Sequence, residues 1–375
     1  MKSGKYWKKE EELVKMKDTF VYIGTYTNGD SKSEGIYIYR FDPLTGGISL
    51  ASTKSGIENP TFLKVSFDGN FLYAVSEVFD FKGKKEGALF SYEINKQTGE
   101  LLYLNSQSTK GACPCHIEIE NSGSYALVSN YMGGNLAVIP LQKDGTIGEV
   151  IKIIQHKGCS QVNPERQEGP HVHSATITTD NKFALVADLG QDMVKIYKLD
   201  NLKDKLLLTE YGEFKAVPGA GPRHMDFHPS GRYIYLLNEL GNTVEAFYYV
   251  AEEGCLELIN RLSTLPSNFE GENIAADIHV HPNGKFLYAS NRGHNSIAIY
   301  TLDENTGAPG LLEHQSTLGE HPRNFSIDPT GNYLLVANKD SNNIVTFAID
   351  SSTGLLVPAG REVKVPQPVC ISFGS

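Results

Sequence analysis

One sequence pattern recurs along most of the chain and constrains its fold more than any other feature. Each copy holds an alternating strand, a turn with glycine or asparagine, and a second, more apolar strand that ends in a small polar residue. The turn residues of the six complete copies are, in order, Gly69, Gly123, Asn181, Gly231, Gly284 and Gly331. Successive copies are therefore 54, 58, 50, 53 and 47 residues apart. Repeats of this length, built from short strands, are typical of β-propeller blades.

A second hairpin follows each copy, and seven such hairpins can be counted. They start near Gly35, Ala88, Asn135, Met193, Thr243, Ser296 and Ile344. The first type of hairpin is one copy short, because its seventh copy is divided between the chain ends. PVCISF at 368–373 is similar to the inner-strand segment RNFSI, and FVYIGTYT at 20–27 is similar to the strand that follows it. Pairing of these two segments would close a ring and remove its open sheet edges.

The sequence therefore predicts an all-β protein, a seven-bladed β-propeller closed by pairing of the N- and C-terminal strands in one blade. We expect this single domain to cover residues 19–375. Residues 1–18 carry many charges and lie outside the repeat, so we expect a tail there. A pair of β-sandwiches would also contain short strands and turns, but it does not need a pattern repeated seven times.

Charge and cysteine content narrow the choice of partners and compartment. The formal net charge is −10, which disfavours a nucleic-acid partner because such a partner needs a large basic surface. No apolar run approaches the roughly 18 residues that span a bilayer, so we expect no membrane partner. The five cysteines are scattered and odd in number, which suits a reducing compartment and, with an N-terminus that lacks an apolar signal core, predicts a cytoplasmic protein.

Equivalent positions of the blades should form rings around the channel. Counting back eight residues from each turn residue gives Thr61, Cys115, His173, Arg223, Ala276 and Arg323, and counting forward eight gives Glu77, Tyr131, Leu189, Glu239, Arg292 and Lys339. The two rings should meet at one face, because each hairpin returns the chain to the side from which it started. With their neighbours they predict a cationic funnel of Arg223, Arg292, Arg323, Lys339, His116, His173 and His224, interspersed with Glu77, Glu239, Asp188 and Asp277. Such a funnel would attract a small phosphorylated or carboxylated ligand.

Several features of this region allow a structural as well as a functional interpretation. Arg292 and Glu239 could be a structural ion pair or part of a site. His171 and His173 have the spacing of two metal ligands on one strand face, but no third strong ligand is evident, so we expect no metal. Cys113-Pro-Cys115-His116 is explained as the start of a blade. No nucleophile elbow, phosphate-binding loop or dinucleotide fingerprint occurs, which disfavours serine-hydrolase and cofactor chemistry.

Three segments carry a resemblance to a known family: GPRHMDFHPSGRYIYLLNE, DIHVHPNGKFLYASNRGHNSIAIY and HPRNFSIDPTGNYLLVANKDSN. They resemble the lactonase family of seven-bladed propellers, which includes bacterial 6-phosphogluconolactonases of the cycloisomerase 2 type and the fungal carboxymuconate cyclase. The resemblance implies hydrolysis of 6-phospho-D-glucono-1,5-lactone to 6-phosphogluconate, in the pentose phosphate pathway, without metal or organic cofactor. It also implies catalytic roles for His173, Arg223, Glu239 and Arg292, with His171 as the other histidine of GPHVHS that can fill the first position.

Lactone hydrolysis needs a base for the attacking water and a donor for the oxygen that becomes negative. Either Glu239 or His173 could be the base, and Arg292 and Arg223 could stabilise the oxyanion or bind the phosphate. The residues expected to bind substrate are His171, His224, Arg323, Lys339, Glu77 and His116. We expect a small anionic sugar lactone as partner, and a monomer or weak homo-oligomer. A lactone-forming isomerase acting on a carboxylated substrate and a non-catalytic binding propeller are the alternative functions.

Overall fold

The computed structural model describes residues 19–202 and 205–374, and its strands form seven four-stranded antiparallel sheets. Blade 1 contains β1 (Thr19–Thr25), β2 (Gly35–Asp42), β3 (Gly47–Ser55) and the last strand of the chain, β28 (Pro368–Phe373). Blade 2 contains β4 (Leu63–Val65), β5 (Phe71–Ser76), β6 (Ala88–Ile94) and β7 (Leu101–Ser108). Blade 3 contains β8 (Pro114–Ile119), β9 (Tyr125–Asn130), β10 (Asn135–Pro140) and β11 (Lys152–Gln155).

The remaining blades follow the chain in the same way. Blade 4 contains β12 (Val172–Ile177), β13 (Phe183–Asp188), β14 (Met193–Leu202) and β15 (Lys205–Lys215). Blade 5 contains β16 (Pro222–Phe227), β17 (Tyr233–Asn238), β18 (Thr243–Val250) and β19 (Cys255–Ser263). Blade 6 contains β20 (Ile274–Val280), β21 (Phe286–Arg292), β22 (Ser296–Leu302) and β23 (Pro309–Ser316). Blade 7 contains β24 (Pro322–Ile327), β25 (Tyr333–Asn338), β26 (Asn343–Ile349) and β27 (Leu356–Lys364).

Blade 1 closes the ring, as the divided repeat predicts. β28 pairs antiparallel with β1, with Val21 opposite Phe373 and Ile23 opposite Ile371. The predicted seven-bladed β-propeller, with N- and C-terminal strands in one blade, is thus confirmed. The tail predicted for residues 1–18 lies outside the described residues.

The hydrophobic core is divided into seven clusters, each of which fills the space between two neighbouring blades. In the cluster between blades 3 and 4, for example, Leu127 and Val138 pack with Val186. The two middle strands of a blade are buried on both faces, which explains their nearly continuous apolar sequences. The core therefore holds the blades together without filling the channel, which polar side chains line.

The small polar residue that ends the second strand of a blade connects it to the preceding blade. The side-chain amides of Asn130, Asn291 and Asn338 donate to the carbonyl oxygens of Thr109, Thr264 and Thr317, at distances of 3.3, 2.7 and 3.1 Å. All six of these residues are buried. A buried amide with a backbone partner stabilises one local geometry, so the backbone of the residue that follows each asparagine starts from a fixed position at the end of its strand.

Candidate active site

A β-bulge at the start of the inner strand positions several candidate side chains. In blades 3, 4, 5 and 7 the strand register shifts at one residue, and that residue is Cys115, His173, Arg223 or Arg323. A bulge leaves one residue unpaired and redirects its side chain. These four residues are among the six that counting back from the turns selects. They lie together at one end of the channel, which we call the mouth.

Glu239 is the centre of the charged groups at the mouth. Its Oε2 atom lies 2.8 Å from Nε of Arg223 and 3.0 Å from Nη2 of Arg292, and its Oε1 atom lies 2.5 Å from Nη2 of Arg166. The Glu239 side chain is only 3% exposed. Burial alone would raise the pKa of Glu239. Arg292, Arg223, His173 and Arg166 lower the pKa by more than burial raises it, so it lies well below the usual range. Glu239 is therefore ionised and holds three guanidinium groups in place.

Backbone carbonyl groups fix the two buried arginines from the other side. Arg223 donates through Nη1 to the carbonyl oxygen of Ala276, and Arg292 donates through Nη2 to that of Ala275 at 2.7 Å. Both guanidinium groups are thus held by a carboxylate and by the start of the inner strand of blade 6. Fixed donors of this kind suit a developing negative charge, because they need little reorganisation during a reaction.

His173 lies beside this cluster and is uncharged. Its Nε2 atom is 3.7 Å from Oε2 of Glu239, and its ring packs against the ring of His224 with centroids 5.2 Å apart. Burial and the positive charge of Arg223 lower the pKa of His173 well below the usual value. A neutral imidazole can accept a proton at neutral pH, so His173 meets the first requirement of a general base.

His224 and His116 lie deeper in the channel than His173. Nδ1 of His224 is 2.7 Å from Oδ1 of Asp277, and burial together with Arg223 lowers the pKa of His224 to about 4. His116 packs against Phe62 and His224, and its buried Nδ1 has no hydrogen-bond partner among the described residues. These two histidines form the floor of the mouth rather than its rim.

Arg323 differs from the other arginines of the mouth in its surroundings. Its guanidinium lies over the ring of Tyr26, 5.6 Å from the centroid, and it pairs with no carboxylate within the part of the chain that the structure describes. Glu77 is nearby but accepts hydrogen bonds from the hydroxyl groups of Tyr26 and Thr61, at 3.0 and 2.6 Å. Arg323 consequently remains available to an anionic ligand.

Three of the residues that the sequence predicts for the site, two in the funnel and His171, are engaged elsewhere. Lys339 forms an ion pair with Asp340 at the rim, with 2.7 Å between Nζ and Oδ1. Asp188 is buried against Nδ1 of His156 at 2.6 Å. His171 stacks on Tyr131 with centroids 4.3 Å apart and approaches Glu168 through Nε2. The structure therefore brings His173, Arg223, Glu239, Arg292 and Arg323 together and leaves Lys339, Asp188 and His171 at the periphery.

Arg166 belongs to the mouth although no repeat position predicts it. It lies in the segment 156–171 between β11 and β12, and it reaches both Glu239 and the hydroxyl group of Tyr131, 3.3 Å from its Nη2. The only sequence signal is that this link between blades 3 and 4 is long and carries an arginine. Arg166 and Arg292 also line an open cleft of about 800 Å³, whose other charged lining residues are Glu165, Glu272, Glu320 and Asp340. A cleft of this size accommodates a small ligand.

Two properties bear on other kinds of site. Within residues 19–202 and 205–374, no three His, Cys, Asp or Glu side chains are arranged to hold a metal ion. The same ranges contain no helix with the length and apolar character that crossing a bilayer requires.

Comparison with known proteins agrees with this architecture. The family model described as "Lactonase, 7-bladed beta-propeller" matches residues 20–373. A 6-phosphogluconolactonase of Bacillus subtilis is 37% identical over 352 residues, which cover 94% of this chain and 97% of the relative. A 6-phosphogluconolactonase of Formosa agariphila is 36% identical over 311 residues, covering 82% of this chain and 86% of the relative. The solved structure of a periplasmic gluconolactonase of Pseudomonas aeruginosa superimposes with a TM-score of 0.89 at 30% identity, over 95% of this chain and 99% of that one. The chain therefore belongs to the lactonase family of seven-bladed β-propellers.

Proposed function

We propose that the protein hydrolyses 6-phospho-D-glucono-1,5-lactone to 6-phosphogluconate at the mouth of the channel. The observation that carries this proposal is the juxtaposition of fixed arginines, an ionised Glu239 and a neutral His173 beside an open cleft. Two relatives that carry the name 6-phosphogluconolactonase, each at least 36% identical to this chain, support the choice of substrate.

The reaction opens the lactone ring by addition of water. The oxygen of a water molecule attacks the carbonyl carbon while a base takes one of its protons, and the carbonyl oxygen becomes negative in a tetrahedral intermediate. The bond from this carbon to the ring oxygen then breaks, and the protonated base returns its proton to the leaving oxygen, which becomes a hydroxyl group. The product carboxylic acid ionises at neutral pH.

His173 is the better base of the two candidates. Burial and Arg223 keep the pKa of His173 low, so its imidazole is uncharged and can accept a proton. Glu239 is ionised, but both of its carboxylate oxygens already accept from the guanidinium groups of Arg166, Arg223 and Arg292, so they are less open to a proton from water. In this assignment Glu239 is a positioning residue that orients Arg223 and Arg292.

Arg292 is the group best placed to stabilise the oxyanion. Its Nε and Nη2 atoms are engaged by the carbonyl groups of Ile274 and Ala275 and by Glu239, whereas its side chain also lines the cleft. The remaining donor, Nη1, lies on the same planar group and is therefore fixed in direction. Arg323, which has no carboxylate partner among the described residues, supplies further positive potential deeper in the mouth.

Hydrolysis of freshly prepared 6-phosphogluconolactone, corrected for the spontaneous rate, tests this function. We expect rapid turnover by the parent protein and rates at least about 100-fold lower for Arg292→Ala, which is the usual effect of removing an oxyanion donor. Lys182→Ala is the matched control, because it removes an exposed cation that is paired with Asp180 in a turn that does not line the cleft. A parent rate equal to the spontaneous rate would refute the proposed function.

A further inference from the structure

Arg166 differs from the other arginines bound to Glu239 in both its burial and its backbone setting. The side chains of Arg223 and Arg292 are each 3% exposed, whereas that of Arg166 is 33% exposed. Arg223 and Arg292 belong to strands of blades 5 and 6, but Arg166 comes from the link between blades 3 and 4. Arg166 therefore contacts Glu239 from the solvent side, and its guanidinium covers the carboxylate.

The proposed base and the carboxylate beside it are closed off in this arrangement. The side chains of Glu239 and His173 are 3% and 5% exposed, so no ligand can reach them unless a covering side chain moves. Arg166 is a covering group with few attachments, because the polar contacts that its side chain makes among the described residues are to Oε1 of Glu239 and the hydroxyl group of Tyr131. Movement of this one side chain would open the mouth to the cleft that Arg166 itself lines.

We infer that Arg166 is the residue that recognises the phosphate group of the substrate, and that it leaves Glu239 in order to do so. This inference rests on the proposed function, since it names the residue that distinguishes a phosphorylated lactone from an unphosphorylated one. A phosphate oxygen replaces Oε1 of Glu239 as the acceptor of the Arg166 N–H groups, and the planar guanidinium can bind two such oxygens at once.

The charges of the mouth favour this exchange. Arg166, Arg223 and Arg292 carry three positive charges and Glu239 one negative charge, and His173 is neutral, so these five residues have a formal charge of +2. A phosphate monoester carries about −1.5 to −2 charges at neutral pH. Its charge therefore matches that of this cluster, although the walls of the cleft also carry the carboxylates of Glu165, Glu272, Glu320 and Asp340. An unphosphorylated lactone has no group of this charge.

The backbone of the link is fixed, so recognition depends on the side chain of Arg166 alone. The adjacent Gln167 is fully buried and donates to the carbonyl oxygen of Leu189 at 2.9 Å and to Oδ1 of Asp192 at 2.7 Å. The backbone N–H groups of Arg166 and Gln167 donate to the carbonyl oxygen of Asn163. A rigid anchor with one long, partly exposed side chain reduces the entropy lost when the ligand is bound.

The test compares binding of 6-phosphogluconate, the product of the proposed reaction, with binding of gluconate, which lacks the phosphate group. We would measure the affinities of 6-phosphogluconate and gluconate by calorimetry for the parent protein, Arg166→Ala and Arg166→Lys. We expect the preference of the parent for 6-phosphogluconate to fall at least about tenfold in Arg166→Ala, and less in Arg166→Lys, which keeps the charge but not the bidentate geometry. The corresponding lactones, compared by kcat/KM, should show the same change in preference.

Arg261→Ala is the matched control. Arg261 is 34% exposed and lies 2.5 Å from the buried Glu245. These two residues belong to β19 and β18, the fourth and third strands of blade 5, and do not line the cleft. Its replacement should leave the preference for the phosphorylated product unchanged. If Arg166→Ala and Arg166→Lys keep the parent's preference, or if the parent itself shows none, the assignment of Arg166 is wrong. A parent that binds 6-phosphogluconate through Arg166 but hydrolyses neither lactone would refute the proposed function and leave the phosphate site intact.

Discussion

Nη2 of Arg292 lies 3.0 Å from Oε2 of Glu239, so these two residues form a buried ion pair across the boundary between blades 5 and 6. Glu239 directly follows β17, and Arg292 is the last residue of β21. Both follow an asparagine of the same repeat position, Asn238 or Asn291. The repeat thus places complementary charges at equivalent points of neighbouring blades, and the ring brings them into contact.

The substitution Glu239→Gln should separate positioning from proton transfer. The glutamine side chain would keep the shape of the glutamate but remove the charge that holds Arg223 and Arg292, so we expect kcat to fall by about one to three orders of magnitude. Thermal unfolding should also occur at lower temperature, because three arginines lose a buried counter-charge. A steady-state assay with circular dichroism melts would measure both effects, and full activity with an unchanged melt would contradict the role of Glu239.

The pH dependence of hydrolysis should identify the base. The base must be unprotonated, and the pKa of His173 lies well below 6.5, so kcat/KM should stay constant from about pH 6.5 to 8 and fall only in acid. In Glu239→Gln the loss of a nearby negative charge should move this acid limb to still lower pH. His173→Asn should abolish the limb together with most of the activity. A parent profile that rises through pH 6.5 to 8 would exclude His173 as the base.

His279 should make stability depend on pH in the alkaline range. Burial and the positive charge of Lys64 lower the pKa of His279. The carboxylates of Asp277 and Asp226 raise it by more, so the pKa is about 9. A raised pKa means that protonation stabilises the fold fully below pH 6.5 and that this contribution is lost as the pH rises through 9. Urea unfolding at about pH 6.5 and 9.5 should show this loss for the parent and a smaller one for His279→Gln. Equal pH dependence of both proteins would contradict it.

Asn324 should contribute strongly to ring closure. Its Nδ2 donates to Oδ2 of Asp277 at 2.5 Å, and its Oδ1 accepts from the backbone N–H of Ile371 in β28 at 2.7 Å. Asn324→Leu would leave the buried N–H group of Ile371 without this acceptor, at about 1–3 kcal/mol, whereas Oδ2 of Asp277 would keep Phe325 and His279 as partners. We therefore expect the free energy of unfolding in urea to fall by about 1–3 kcal/mol. The exposed Asn332, replaced by alanine, is the control, and an equal effect of both changes would contradict the prediction.

The repeat was sufficient to predict the blades and the two rings of positions, but not the partner of every side chain. Arg223 and Glu239 meet because each stands at a fixed offset from its turn residue, and the register of the strands keeps those offsets. Lys339 has the same offset as Glu239, yet the neighbouring Asp340 holds its ammonium group at the rim. Asp188 has the offset of Asn130, but its carboxylate is buried against His156 from the link that follows blade 3.

Arg166 marks the limit of this kind of prediction. It lies in a link between blades, where no strand register relates its position to that of Glu239. Its place at the mouth depends on the anchoring of Gln167 by Leu189 and Asp192, which are contacts between segments distant in sequence. Such contacts follow from the assembled ring, so a repeat pattern alone does not reveal them.

The bulge that begins the inner strands has a consequence for how such a site can change over evolution. In blades 3, 4, 5 and 7 it removes one residue from the hydrogen-bond ladder, so that the identity of this residue is free of the demands of strand pairing. Cysteine, histidine and arginine occupy it here in turn. Each of these four blades therefore offers one position at which a single substitution alters the chemistry of the mouth while the scaffold is preserved.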